Sequence, residues 1–205
     1  MLKLEDYGTV FMLVTFGGAL VISWPALGFV LPVGGGERFS ALYVLGPDRM
    51  AEGYPFDVWV GRSYRVFLGV EDHMGSSAYY AVYVKLRSQD EPLPNSTAGT
   101  PSPLPALYEY RFVLEDEGVW EVPVDFSFRG ISFFDGGCRV EGLVLGGRDL
   151  VVEKTVVRDS ENSGYFLQLF FELWIYDDGL DGFSFHDRFV GVWLNMTAQA
   201  PFGFP

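Results

Sequence analysis

Apolar residues recur at every second position through most of this chain, a period that fits strands and defeats helices. In Ser77–Ser88, Ala78, Tyr80, Val82, Val84 and Leu86 share one face, while Lys85 and Arg87 take the other. In Val119–Phe128, Trp120, Val122, Val124, Phe126 and Phe128 oppose Glu121 and Asp125. In Tyr165–Tyr176, Leu167, Leu169, Phe171, Leu173 and Ile175 form one unbroken apolar face. Successive side chains of a strand point to opposite sides, so this alternation is that of half-buried strands.

Similar runs lie at Phe39–Leu45, Phe56–Val60, Ser63–Glu71, Leu107–Glu115, Arg139–Leu145, Leu150–Val157 and Arg188–Met196. Turn chemistry separates them at Gly61-Arg62, Asp116-Glu117-Gly118, Asp135-Gly136-Gly137, Gly146-Gly147 and Asp177-Asp178-Gly179. Eight to ten short strands with frequent glycine turns predict an all-β fold, an immunoglobulin-like antiparallel β-sandwich. A small barrel shares the local pattern.

The N-terminus breaks this pattern. Tyr7 to Gly36 is a thirty-residue run without one charged side chain, longer than the roughly 20 apolar residues that span a bilayer as a helix. The run predicts one transmembrane helix from about Gly8 to Phe29, ended or kinked at Pro25, with Tyr7 and Trp24 near the headgroup layers. Lys3 makes the short N-terminal flank the cationic one, so the N-terminus is expected in the cytoplasm and the C-terminal domain outside. Ala26 and Gly28 also suit a signal-peptidase site. The acids Glu5 and Asp6 and the length of the run favour an uncleaved anchor.

Two domains follow: residues 1–36 as anchor and Gly-rich exit, and 37–205 as an extracytoplasmic β-sandwich. Residues 89–105, with Pro92, Pro94, Pro101, Pro103 and Pro105 among Ser and Thr, read as a surface loop inside that sandwich.

Several segments carry a family resemblance. They are FSALYVLGPDRMAEGYP (Phe39–Pro55), VFLGVEDHMG (Val66–Gly75), YYAVYVKL (Tyr79–Leu86), LEDEGVWEVPVDFSF (Leu114–Phe128) and FELWIYD…VGVWLNMT within Phe171–Thr197. Their order resembles the archaeal membrane-protein family known as domain of unknown function 1616. The resemblance implies an archaeal, membrane-anchored cell-envelope protein with an extracytoplasmic β-domain. It implies no activity and no catalytic residues. Family members often carry several N-terminal membrane helices where this chain keeps one, and Arg129–Gly164 has no counterpart.

Charge narrows the partners. Of 27 acids and 14 Lys and Arg, removal of Glu5, Asp6 and Lys3 leaves 25 and 13 in the domain, a net charge of −12. Such a surface repels nucleic-acid phosphates and anionic lipid headgroups. The single cysteine, Cys138, forms no disulfide within the chain and no cysteine metal cluster.

The sequence holds no catalytic constellation and no cofactor motif. His73 and His186 each stand beside acids in what read as strand-joining turns, and no nucleophile occupies a defined elbow. The best metal candidates are Asp177, Asp178 and Asp181, whose clustered carboxylates suit calcium but whose order is also that of a hairpin turn. Asn95-Ser96-Thr97 and Asn195-Met196-Thr197 fit the N-glycosylation pattern. Opposite the apolar face of Tyr165–Tyr176 stand Phe166, Phe170, Trp174 and Tyr176, expected to meet a partner protein or a second copy, or to stack glycans. The expected role is a structural or accessory subunit of a membrane assembly and not an enzyme. A glycan- or ligand-binding module is the alternative, and a metal-dependent enzyme the remote one.

Overall fold

The computed structural model describes residues 4–30 and 38–197, with the side chains of its one helix described at 7–19 and 21. The chain divides into two compact units, Met1–Arg38 and Phe39–Pro205.

The first unit holds helix α1, Leu4–Val30. It continues past Pro25, where the sequence reading expected an end or a kink. The described side chains from Tyr7 to Ala19 are exposed, and Thr15 returns its hydroxyl to the carbonyl of Phe11 at 2.6 Å. Among the described residues no helix is long and apolar enough to cross a membrane.

The second unit holds ten strands among its described residues. They are β1 (Phe39–Leu45), β2 (Asp57–Val58), β3 (Tyr64–His73), β4 (Ala78–Ser88), β5 (Tyr108–Leu114), β6 (Val119–Phe134), β7 (Gly137–Leu145), β8 (Arg148–Val157), β9 (Phe166–Asp177) and β10 (Gly182–Met196). Sheet one runs β1-β3-β6-β7-β8 and sheet two β2-β10-β9-β4-β5. All neighbours are antiparallel except one: β2 joins β10 in parallel through Asn195↔Asp57 and Met196↔Val58. The expectation of a purely antiparallel sandwich is corrected there. β1 and β2 belong to different sheets, and the crossing between them brings β2 in beside β10 in the same sense. Arg129–Gly164, which had no counterpart in the resemblance, builds the far side of sheet one: the end of β6, then β7 and β8.

The core follows from the alternation. Val66, Leu68 and Val70 of β3 with Val124, Phe126 and Phe128 of β6 pack with Tyr80, Val82, Val84 and Leu86 of β4 and Leu167, Leu169, Phe171 and Leu173 of β9. Burying each large apolar side chain contributes about 1.5–3 kcal/mol, which offsets the entropy of ordering the strands. The β7–β8 turn is Gly146-Gly147, with φ of 54° and 81°. Two successive positive φ values give the hairpin turn whose twist matches its strands, and glycine adopts them without strain.

Candidate functional site

Because residues paired across strands share a face, the register defines the outer face of sheet two. β4 presents Tyr79, Tyr83, Lys85 and Arg87 there. β9 presents Phe166, Gln168, Phe170, Glu172, Trp174 and Tyr176, and β10 adds Phe183, Phe185, Gly191 and Trp193. This face has three zones.

At one end lies a group of partly exposed rings. Tyr79 meets Phe183 at 5.0 Å and Tyr176 at 6.0 Å, and Tyr176 meets Phe183 at 5.5 Å. Tyr83 lies 5.0 Å from Trp174, which lies 6.0 Å from Phe185. The Arg111 guanidinium of β5 sits 5.2 Å over the Phe183 ring and pairs with Glu109. Edge-to-face contacts of this kind contribute about 0.5–1.5 kcal/mol each beyond area burial, so the rings hold one another in place.

In the middle, residues 89–105 cross the sheet as a strap. Much of it is exposed, as the surface-loop reading expected, but Pro94 and Ser102 are buried. The anchor is an ion pair: Lys85 Nζ lies 2.8 Å from Glu172 Oε2, and both side chains are shut from solvent. Lys85 donates to the Ser102 carbonyl at 2.7 Å, the Ser102 N–H donates to Glu172 Oε1 at 2.8 Å, and Trp174 Nε1 donates to Glu172 Oε2 at 3.2 Å. A buried carboxylate costs several kcal/mol in lost hydration unless its lone pairs are occupied; here three donors occupy them. The sequence pattern placed Lys85 on the strand face opposite the apolar one. A charged residue alternating with apolar ones reads as solvated unless a distant segment covers it.

Burial corrects the expected partner face. Phe170 is wholly buried and Phe166 nearly so, and neither offers a surface to a partner. Gly191 lies across from Phe170, where a Cβ would stand 2.7 Å from the Phe170 Cβ. Trp174 and Tyr176 keep partial exposure and belong to the ring group.

The histidines are also relocated. His73 closes β3 rather than occupying a turn; its ring stacks on Phe39 at 4.7 Å and lies 3.6 Å from Glu71. His186 lies inside β10, where the register with β9 shifts between Phe185 and Arg188. This bulge, which sequence periodicity read as a turn, brings His186 Nε2 to 3.1 Å from Ser40 Oγ. Ser40 in turn bonds the Tyr80 hydroxyl at 2.6 Å and faces Asp72 in the β1–β3 register. Asp72 accepts the Met74 N–H through Oδ1 at 2.7 Å, while its buried Oδ2 has no partner. Burial pushes the Tyr80 hydroxyl up to about 12. Burial, with the Arg188 charge, lowers the His186 imidazole below its usual value. A serine beside a histidine is a pairing used in nucleophilic catalysis. Ser40, Asp72 and Tyr80 are fully buried, however, and the group serves to tie β1, β3, β4 and β10 together.

The calcium candidates do not converge. Asp177 Oδ1 accepts the Gly179 N–H at 2.8 Å, Asp181 Oδ1 accepts the Tyr176 hydroxyl at 2.6 Å, and Asp178 stands in the same hairpin. Among the described residues no group of three or more His, Cys, Asp or Glu side chains could hold a metal ion. Of the two sequons, Asn95 is exposed at the start of a tight turn whose N–H groups of Thr97 and Ala98 it caps, each at 3.0 Å. Asn195 is engaged: its Nδ2 donates to Asp57 at 2.8 Å and its Oδ1 accepts from the Tyr165 N–H at 3.0 Å. Cys138 is buried, and burial pushes its thiol up to about 11.

These features define a two-sheet β-sandwich whose second sheet carries an exposed ring group on its outer face. Residues 33–131 match the model of the family described as Domain of unknown function (DUF1616), the family the sequence resembles. The resemblance read on to Thr197 is thus matched as far as β6. No curated protein matches the chain. Among solved structures, similarity extends to a chain of the complex of Zinc 2-glycoprotein (ZAG) with Prolactin inducible protein (PIP) from human seminal plasma, at 9% identity and TM-score 0.38, covering 80% of this chain and 98% of that one. A beta-glucosidase from Listeria innocua matches at 8% identity and TM-score 0.37, over 80% of this chain and 17% of its own. The ASH / PapD-like domain 7 of human CEP192 matches at 8% identity and TM-score 0.29, over 78% and 86%.

Proposed function

We propose that this is a single-pass archaeal cell-envelope protein whose outward-facing, immunoglobulin-like sandwich holds a partner protein. The observation that carries the reading is the group of six partly exposed rings (Tyr79, Tyr83, Trp174, Tyr176, Phe183 and Phe185) on one face of sheet two. Contiguous exposed rings with one arginine among them have the composition of an interface core. With a chain charge of −13, the partner that fits is a protein presenting an apolar patch with a basic rim.

The strand order supports the immunoglobulin-like assignment. Without the β7–β8 hairpin, β1-β3-β6 faces β2-β10-β9-β4-β5, two Greek-key sheets in which sequential strands repeatedly change sheet. The uncharged run Tyr7–Gly36 supports the anchor and Lys3 supports its orientation. The exposed Asn95 supports glycosylation of an external domain. Gentle solubilisation from the native membrane followed by native mass spectrometry tests the reading. A co-purifying protein lost in Tyr79→Ala and Phe183→Ala variants is the expected result. A wild-type chain that runs as a bare monomer overturns it.

A further inference from the structure

The third zone of the same face is a groove at the end opposite the ring group. It is lined by Phe56, Gln89, Asn162, Phe166, Trp193 and Asn195, with a volume of about 430 Å3. That lies within the roughly 300–1,000 Å3 of small-molecule sites. We infer that this groove is a saccharide-binding site for a neutral pyranose.

Two rings of the groove stand exposed. Trp193 is 37% exposed although it stands on a central strand face, and Phe56 is 50% exposed. Neither is loose: the Arg87 guanidinium lies 5.1 Å behind the Trp193 ring, and Phe56 packs 5.9 Å from Phe166. Rigid rings with open faces are what the C–H face of a pyranose stacks on.

The rim is amide rather than charged. Asp159 fixes two of the three amides, accepting from Gln89 Nε2 at 3.0 Å and from Asn162 Nδ2 at 2.8 Å. Hydrogen bonds from both amides hold the Asp159 carboxyl well below the usual carboxylate range. Asp57 fixes the third, Asn195, through its Nδ2 at 2.8 Å. Each amide is therefore held before any ligand arrives, which removes an ordering cost from binding. Among the described residues Gln89 Oε1 and Asn162 Oδ1 accept no hydrogen bond and can accept from ligand hydroxyls, while the remaining amide hydrogens can donate.

Charge then selects among hydroxyl-rich ligands. Arg87, over the Trp193 ring, is itself buried and donates to Gln168 at 2.8 Å. None of the six lining residues carries a positive charge to answer a phosphate or carboxylate, and the acidic chain repels both, so a neutral sugar fits where an anionic one does not. This site shares no ring with the proposed partner face, and either reading can fail alone.

The test is ligand-observed NMR on the detergent-solubilised full chain, titrated with glucose, galactose, mannose and N-acetylglucosamine, and with glucuronic acid as the anionic control. Saturable binding of at least one neutral sugar is expected, weakened tenfold or more by Trp193→Ala and largely kept by Trp193→Phe. Asn162→Ala provides a second variant at an exposed position, with the same direction of loss. Val113→Ala, at a 64% exposed position on β5 outside the groove, leaves binding unchanged. No saturation by any sugar, stronger binding of the acid, or equal loss in Val113→Ala each overturns the assignment.

Discussion

Glu172 shows what one buried charge demands of a fold. It accepts from Lys85, the Ser102 N–H and Trp174, so losing its charge strands the Lys85 ammonium away from water. Glu172→Gln is expected to cost about 3–5 kcal/mol in urea unfolding, whereas Lys85→Met combined with Glu172→Leu costs far less because no ion is left unpaired. His186 carries a different signature. Its folded-state value is lowered below the ordinary 6.5, chiefly by burial and then by Arg188, against the opposing pull of Asp187 and Asp72. The unfolded chain therefore takes the proton first. His186 contributes its full stability above about pH 6.5, and as pH falls below that value stability is lost, by at most about 1.4 kcal/mol per pH unit. Unfolding free energies measured from pH 7.5 to 5 should show this slope, and His186→Asn should flatten it. The buried Cys138 thiol, pushed up to about 11, should resist iodoacetamide at pH 8 until denaturant is added.

The strap and the turns behave as elements with separate duties. Residues 96–99 form the exposed tip of the strap, closed by Asn95 and Thr100, which exchange backbone bonds at 2.8 and 3.0 Å. Native material is expected to carry glycan on Asn95 and none on Asn195, whose amide nitrogen is already committed to Asp57. Peptide mass mapping of wild type and Asn95→Gln decides it. In the β7–β8 hairpin, Gly147 holds a φ of 81°, and Gly147→Val should cost about 1–2 kcal/mol in thermal unfolding. All ten strands were legible from period two and turn residues, Phe39–Leu45 to the residue. The extension of β6 from Phe128 to Phe134 was not, because Arg129-Gly130 interrupts the alternation while the chain keeps pairing with β7 through Ile131↔Val140. The β10 bulge was hidden for a related reason: Phe185-His186-Asp187-Arg188 reads as a polar turn, but continued pairing with β9 on both sides keeps it in the strand.

Taken whole, the molecule is an acidic sandwich whose charge opposes its own compactness. A net −13 predicts that added salt raises the melting temperature of the solubilised full chain, as screening weakens self-repulsion over a Debye length of about 10 Å at 0.1 M. A melting temperature unchanged between 0.02 and ~0.5 M NaCl would show that pairs such as Lys85–Glu172, shielded from ions, dominate instead.

Local pattern carried the strands, their turns, the uncharged N-terminal run and the family resemblance read from Phe39 to Thr197 and matched over residues 33–131, since each depends on residues close together in the chain. The three zones of sheet two depend on residues far apart: Phe56 and Trp193, Gln89 and Asn162, Lys85, Ser102 and Glu172. Alternation tells which side of a strand a residue takes, but not what lies over that side. Tertiary packing buried Phe166 and Phe170, set the 89–105 strap over Lys85 and Glu172, and left rings at one end of the face and a groove at the other.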